Sequence, residues 1–526
     1  MLIRHRLFGV ALLAGIAVRV ITVLAFPPAF WFGGDSASYL GTALRLVPGQ
    51  SRLSGYGIFL AAFRPFHHIS VATTLQHVMG LLAAVMLYAL LRRYGLPAWL
   101  ATLVTLPLLL DAYLIQLEHE VLPTALFGFL VVTATTLVLW WRQDRPAWAT
   151  IAAGLLLGVA AILWPVGLPL LIMYLVGYLI LRRTGWRVLA ATAVISVLPL
   201  GGYLMWFHGS QHRFAFSNSD GIFLWSRTMT FANCAIIKPP ADLVALCASE
   251  PVSKRPAASS FIWKPDSPLN RVPGPKFSAS KNSLALRFAL HAIAAQPGSY
   301  AVDVLHDIGY SFTWDRAPHP SSSILRRYAF SDATQPWIAS SAPTGGGHTV
   351  ASDQRAYGAT PTRAVEPFAG WMRTYQRYVY LRGTLLGVIL LIGLAGIVRA
   401  WRRGGFRRLR DWGGPCLYPS ASAVALLVVP VMTADFGVRY VLLAMPLALL
   451  AAGLAFAPAR AAAGSDARRS EQGQDDKQVP DDKQGPDTAS LWSRPSLEPA
   501  AGSAHPATGS STGSDNRPPT AGQAPA

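Results

Sequence analysis

The sequence predicts an all-α polytopic membrane protein of about ten transmembrane helices, with a mixed external loop domain and a disordered C-terminal tail. Three observations predict it. Only 13% of the 526 residues are charged while 52% are hydrophobic, and that charged fraction is about half the value usual for a soluble domain. Ten apolar runs approach the length of about 20 residues that crosses a hydrocarbon core. Arginine clusters follow alternate runs, as the positive-inside rule requires.

The runs are 7–26, 71–91, 97–117, 121–141, 147–164, 166–181, 188–207, 380–400, 417–434 and 440–457. The fifth and sixth are separated only by Trp164-Pro165, which reads as a tight hairpin. Arg4 and Arg6 precede the first run. Even-numbered runs end at Arg92-Arg93, Arg142, Arg182-Arg183, the Arg399–Arg410 cluster and Arg460. All of these agree on ten crossings of the inner (plasma) membrane, with both termini cytoplasmic. The first run contains Arg19 and has no small-residue cleavage site, so it reads as a span rather than a signal peptide. The formal net charge of +19 comes from these clusters. It is topological and argues against nucleic-acid binding.

Four regions follow: an N-terminal membrane module at 1–207 with an external loop at 27–70, an external loop domain at 208–379, a C-terminal membrane module at 380–457, and a tail at 458–526. The tail is rich in Gly, Ser, Pro, Asp and Gln and repeats Asp-Asp-Lys-Gln-x-Pro at 475–480 and 481–486. Such a composition buries too little apolar surface to fold. In the external loop domain, 283–312 reads as two helices broken at Gln296-Pro297-Gly298, and 251–276 and 315–365 read as loops. Cys234 and Cys247 lie there too, and an oxidising compartment allows them to pair. Two free thiols are the alternative. Cys416 reads as a packing residue.

Charged groups inside spans cost at least about 2.5–3.5 kcal/mol on insertion scales, so each needs a reason. Arg19 and Asp111 each sit about seven residues before the outer end of a span, roughly 10 Å deep. Matched depth and opposite charge predict a pair. It is either a structural clamp or part of a cavity in which Arg19 meets an anionic lipid head. At the outer boundary lie Asp35, the Glu118-His119-Glu120 turn, and Asp435 with Arg439 four residues later. A carboxylate there can take a proton from an acceptor hydroxyl. A second can orient the first or hold a divalent cation. An arginine can grip a phosphate through paired hydrogen bonds. Arg45, Arg52 and Arg64 in the first loop can also meet phosphates, although solvated surface positions are the simpler reading.

The stretches GGDSASYL at 33–40, SGYGIFL at 54–60, LEHEVLPTALFGFL at 117–130 and VRYVLLAMPLALL at 438–450 resemble the GT-C glycosyltransferases. These include protein O-mannosyltransferases, lipid A aminoarabinose transferases and actinobacterial arabinosyltransferases. The resemblance covers roughly 7–210 and 380–457. Together with the excess of Arg over Lys, it points to an actinobacterial source. It implies a lipid-linked sugar, carried on polyprenyl phosphate, as donor and an extracytoplasmic glycan, lipid or protein as acceptor, with membrane lipids around the core. Asp35 matches the first-loop acid expected to act as base. Glu118 matches the second acidic site, with Glu120 its competitor. Tyr56, His119, Arg439 and Arg19 fall at substrate-binding positions. Family members differ in needing a metal, so Mg, Ca or Mn is an open cofactor. The single Asp of the first loop, where some members carry an acidic pair, and the lack of a carbohydrate-binding domain after the last helix depart from the pattern. The competing readings are a transporter or flippase, which would show paired repeats, and a non-catalytic relative that binds a lipid or a partner.

Overall fold

The computed structural model describes residues 5–141, 145–179, 184–333, 343–345, 348–402 and 414–458. The expected tail beyond Pro458, Arg4, and the clusters at Arg142, Arg182-Arg183 and Arg403–Arg410 lie outside the described residues.

Every expected span carries a helix. α1 (Arg6–Ala25) leads to α2 (Gly33–Arg45) and α3 (Gly55–Ala61), and α4 (Ile69–Arg93) follows. α5 (Ala98–Leu110) and α6 (Ala112–Glu118) form one bent unit. Then come α7 (Thr124–Trp140), α8 (Ala147–Leu163), α9 (Gly167–Ile172, continued by a π-helical stretch to Leu179) and α10 (Trp186–Gln211). After a middle segment, α19 (Gly383–Arg402), a penultimate helix (Gly414–Thr433) and a final helix (Val438–Ala455) close the bundle. Six helices are long and apolar enough to cross a membrane alone, and the bent α5–α6 pair makes a seventh. α7, α8 and α9 are shorter apolar helices. At 17 residues, α7 and α8 sit at the lower limit for spanning. α1 exposes Leu7, Val10, Leu13 and Val20 as a hydrocarbon-facing stripe, while the final helix is buried nearly all round at the centre of the bundle.

The bend between α5 and α6 is 53°. Its cause is local. The Asp111 carboxylate accepts hydrogen bonds from the backbone N–H groups of Tyr113 and Leu114, starting a new helix. Helix ends also show which ends of the bundle lie together. Arg93 Nε donates to Trp140 O, and Arg399 Nη1 to Ala455 O. At the opposite end Phe30 N donates to His119 O, joining the exit of α1 to the exit of α6.

The structure departs from expectation in the connections. Residues 27–70, expected as a loop, contain α2 and α3. The middle segment holds α11 (Asp220–Thr228), α12 (Cys234–Ile237), α13 (Ser260–Trp263), α14 (Ala279–Ala295), α15 (Pro297–Gly309), α16 (Ser322–Arg326), α17 (Val350–Tyr357) and α18 (Phe368–Tyr378), with one two-stranded ribbon, β1 (Pro343–Gly345) and β2 (His348–Thr349). α14 and α15 meet at Gln296, where the sequence places the break. α11 packs on α14 around a small core of Trp225, Leu246, Phe261 and Phe288. Cys234 and Cys247 are joined by a disulfide, with Cα atoms 6.2 Å apart. α17, inside a stretch read as loop, packs on α2 through the Arg45–Asp353 pair at 2.7 Å.

Candidate active site

Asp35 sits in the first turn of α2. The turn into that helix passes through Gly33 at φ +56°, a conformation that favours glycine. A Cβ there would also stand 2.5 Å from Arg327 Nη1. The Asp35 carboxylate lies between two guanidinium groups. Oδ1 accepts from Arg52 Nε at 2.9 Å and faces Arg52 Nη2 at 2.8 Å, and Oδ2 accepts from Arg439 Nη1 at 3.3 Å. Burial alone would raise Asp35, but Arg52 and Arg439 outweigh it and hold the carboxyl below its usual range. Each carboxylate oxygen has two acceptor sites, so Oδ2 keeps one for a further donor.

The two arginines are seated by aromatic rings. Arg439 lies 5.0 Å from the Trp164 ring centre, 5.4 Å from Phe32 and 5.4 Å from Tyr440. Arg52 lies 4.8 Å from Phe223 and 5.8 Å from Trp263, so the middle segment closes against the residue that holds Asp35. Arg327, at the end of α16, stands 5.5 Å from the Phe32 ring on the other side of Gly33. It is exposed.

Glu120 is the third acidic position. It is 1% exposed, and neither carboxylate oxygen has a hydrogen-bond partner among the described residues. Burial and the Asp35 charge push its carboxyl well above the usual range, against Arg439, Arg327 and the Gln116 side chain. Glu120 is therefore a buried acid whose carboxyl is pushed up while that of Asp35 is held down.

Glu118 is placed differently. Its two oxygens accept from Arg19 Nε and Nη2, both at 2.8 Å, and Oε2 also meets His77 Nδ1 at 3.0 Å. Arg19 spends its remaining N–H groups on Gly15 O, Leu109 O and Leu108 O. All five guanidinium donors are used. The last two carbonyls are ones that the end of α5 leaves without helical partners, so Arg19 caps that end. The expected Arg19–Asp111 pair is not formed. Asp111 caps α6 and accepts from Leu381 N at 2.7 Å, because the bend redirects it along the new helix. Arg19 thus has no donor for a phosphate.

Tyr56 is fully buried and donates to Gln76 Oε1 at 2.6 Å. Gln76 Nε2 in turn donates to Glu118 O and Glu120 O, both at 2.9 Å. Tyr56 thus holds the acidic turn in place and presents no face to a ligand. His119 is buried between His77 and Phe26 O. Asp435 and Arg439 face apart. Asp435 accepts from Ser259 N at 2.9 Å and meets His319 Nε2 at 2.8 Å. Of the loop arginines read as solvated, only Arg64 is exposed.

Two features bear on cofactors. Among the described residues, Asp307, His319 and Asp435 bring ligand atoms within 4.8 Å of one another. This donor set is a poor fit for a cation, since Asp307 is paired with Arg227 at 2.5 Å and Asp435 is taken up as above. The Asp35 neighbourhood fits one no better, because its carboxylate already balances two guanidinium charges.

No protein-family model matches the sequence, and no curated protein matches it. Solved structures of membrane glycosyltransferases are similar at low levels. The oligosaccharyltransferase of Archaeoglobus fulgidus, in complex with Zn and sulfate, shares 13% identity at a TM-score of 0.41, over 85% of this chain and 48% of that one. ArnT from Cupriavidus metallidurans bound to undecaprenyl phosphate shares 15% at 0.33, over 90% and 80%. The S. cerevisiae protein O-mannosyltransferase Pmt1-Pmt2 complex bound to the sugar donor shares 14% at 0.32, over 44% and 36%. The chain thus spans about half the length of the oligosaccharyltransferase and about a third of the mannosyltransferase chain. By the length and apolarity of its helices, the chain is a multi-pass helical membrane protein.

Proposed function

We propose that the chain is a glycosyltransferase that moves a sugar from a polyprenyl-phosphate carrier to an acceptor hydroxyl at the extracytoplasmic face. The observation that carries this reading is the Asp35 carboxylate, held between Arg52 and Arg439 with one acceptor position open, beside the buried Glu120, whose carboxyl is pushed well above its usual range. This is a set of parts for displacement at an anomeric carbon. The acceptor oxygen attacks that carbon, its proton passes to Asp35 Oδ2, and polyprenyl phosphate leaves with the electron pair of the broken bond. Arg439, which gives one hydrogen bond to Asp35, keeps N–H groups for the phosphate, and Arg327 adds an exposed charge. A planar guanidinium suits that task. Glu120 can donate its proton to the leaving phosphate.

The orientation that the arginine clusters predict supports a lipid carrier. Nucleotide sugars are cytoplasmic, whereas a site at the outer boundary needs a donor that has already crossed. With both ends of Asp35 neutralised by arginine, the reading assigns no divalent cation to that carboxylate. Seven spans before the middle segment and three after it form no paired repeat, which weighs against a transporter.

The test is transfer from a panel of labelled polyprenyl-phosphate pentoses and hexoses in membranes containing the full chain. General-base catalysis is typically worth about 10²–10⁴-fold, so Asp35→Asn is expected to lose that much with at least one donor. Undiminished transfer by Asp35→Asn removes the assignment.

A further inference from the structure

Beside the Asp35 group runs a chain of buried polar side chains with no part in the displacement above. Glu118 Oε2 meets His77 Nδ1 at 3.0 Å, His77 Nε2 meets His119 Nδ1 at 3.1 Å, and His119 Nε2 meets Phe26 O at 2.8 Å. All three side chains are nearly inaccessible. The two ends are acceptors, a carboxylate and a peptide carbonyl. Three hydrogen bonds between them need three protons, and two neutral imidazoles supply two.

The deficit can be located. Phe26 O requires the proton on His119 Nε2. Burial and the neighbouring His77 pull His119 down to about 3, so this ring is neutral and its Nδ1 is an acceptor. His77 Nε2 must then carry the proton between the rings. That leaves Nδ1 of a neutral His77 with a lone pair facing a carboxylate. The contact closes only if His77 is cationic or Glu118 is protonated. Arg19 donates to both oxygens of Glu118. The charged or titratable groups around the chain are Arg19 from α1, Glu118 and Glu120 on either side of His119, and Tyr56 from α3 through Gln76.

We propose that His77 and His119 are positioning residues for the Asp35 segment, acting through a hydrogen-bond chain that carries one proton more than two neutral imidazoles. The extra proton lies at the His77–Glu118 contact. The connection to Asp35 is direct in the backbone. The His119 ring holds Phe26 O, and the His119 carbonyl accepts from Phe30 N at 2.9 Å. Val121 N donates to Phe30 O at 3.0 Å, and Ser36 Oγ donates to Val121 O at 2.9 Å. Residues 26–36 therefore hang from the strip 119–121, with Asp35 at one end. Loss of the extra proton sets two acceptors face to face at His77 and loosens that strip. The positioning role rests on Asp35 being the base, while the proton count does not.

The experiment uses the full chain in lipid nanodiscs with ¹⁵N-labelled histidine. Of the 12 histidines, His77 and His119 are assigned by the signals lost in His77→Gln and His119→Gln. Expected at neutral pH are three protonated ring nitrogens out of four, or two together with a carboxylic-acid infrared band that Glu118→Gln lacks. Two protonated ring nitrogens beside an ionised Glu118 overturn the proposal. Glu118→Gln provides a second arm, since its amide can donate to His77 Nδ1. The chain then closes with neutral rings and the third proton's signal disappears, whereas its persistence overturns the count. For the role, kcat with the labelled donor falls at constant KM as pH rises through the titration seen in the spectra. A kcat that ignores this titration overturns the positioning role. Normal transfer by Asp35→Asn with the third proton present would instead sink the base assignment alone.

Discussion

Arg19 and Glu118 form a buried ion pair in which all five guanidinium donors are used, and removing one partner tests it. Arg19→Met deletes two charge-assisted bonds to Glu118 and three to the carbonyls of Gly15, Leu108 and Leu109. Both side chains are 3% exposed, so the loss leaves Glu118 buried with His77 as its remaining side-chain partner. That costs about 3–5 kcal/mol. Glu118→Gln leaves the guanidinium facing a neutral amide and costs a similar amount. Because each single change removes the same pair, the double variant should be more stable than the sum of the two losses implies, with a coupling of about 1–3 kcal/mol. Asp111→Ala removes only the cap on α6 and the bond from Leu381 N, about 0.5–2 kcal/mol. Combined with Arg19→Met it should add within about 0.5 kcal/mol. Unfolding of the purified variants in mixed micelles, followed by tryptophan fluorescence, gives all the terms. A larger coupling of Arg19 to Asp111 than to Glu118 would refute the pairing.

Other outcomes follow from the same geometry. Glu120 has a raised folded-state pKa, so its contribution is fully present below the unfolded value of 4.5 and is lost as pH rises toward the folded one. Glu120→Gln should therefore gain stability relative to the native chain on going from pH 5 to pH 8, and a difference that does not grow with pH contradicts the upward shift of the buried carboxyl. Gly80→Ala would place a Cβ 1.9 Å from Glu118 Oε1. Overpacking typically costs about 1–3 kcal/mol, and an unchanged melting midpoint would show that Glu118 sits elsewhere. The Cys234–Cys247 bond closes a 13-residue separation, for which the chain-entropy model gives about 3 kcal/mol. Without reductant, alkylation should modify neither cysteine, and mass spectrometry of the middle segment reads this directly.

The helical framework was legible because its signals are local. Apolar runs mark the spans, arginines mark their ends, and Gln296-Pro297-Gly298 marks the break between α14 and α15. Asp35 and Arg439 were legible as candidates because charges at a lipid boundary demand reasons. Their mutual contact was not, since 404 positions separate them. Arg52 was hidden for a related reason. A lone arginine in a polar loop looks solvated until a carboxylate 17 residues away is seen to face it. The sequence favoured Glu118 over Glu120 as the second acid on resemblance, without sight of the surroundings of either. Two positions apart on a turn, they point into different surroundings. Arg19, His77 and Gly80 make room for and satisfy Glu118, while Glu120 has no ion pair among the described residues. Equal depth favoured Asp111 as the partner of Arg19, and a 53° bend at Asp111 turned that carboxylate to cap α6. Arg327 gave no signal at all, because the middle segment that brings it over Phe32 has little periodicity.

The most direct measurement of the central claim is the position of the donor's phosphate. Cryo-electron microscopy of the full chain in nanodiscs with a polyprenyl phosphate should show phosphorus density within hydrogen-bonding distance of Arg439 or Arg327, with Asp35 and Glu120 facing the same space. Density instead beside Arg92 and Arg93 at the opposite end of the bundle, with the Asp35 group unvisited, would contradict it.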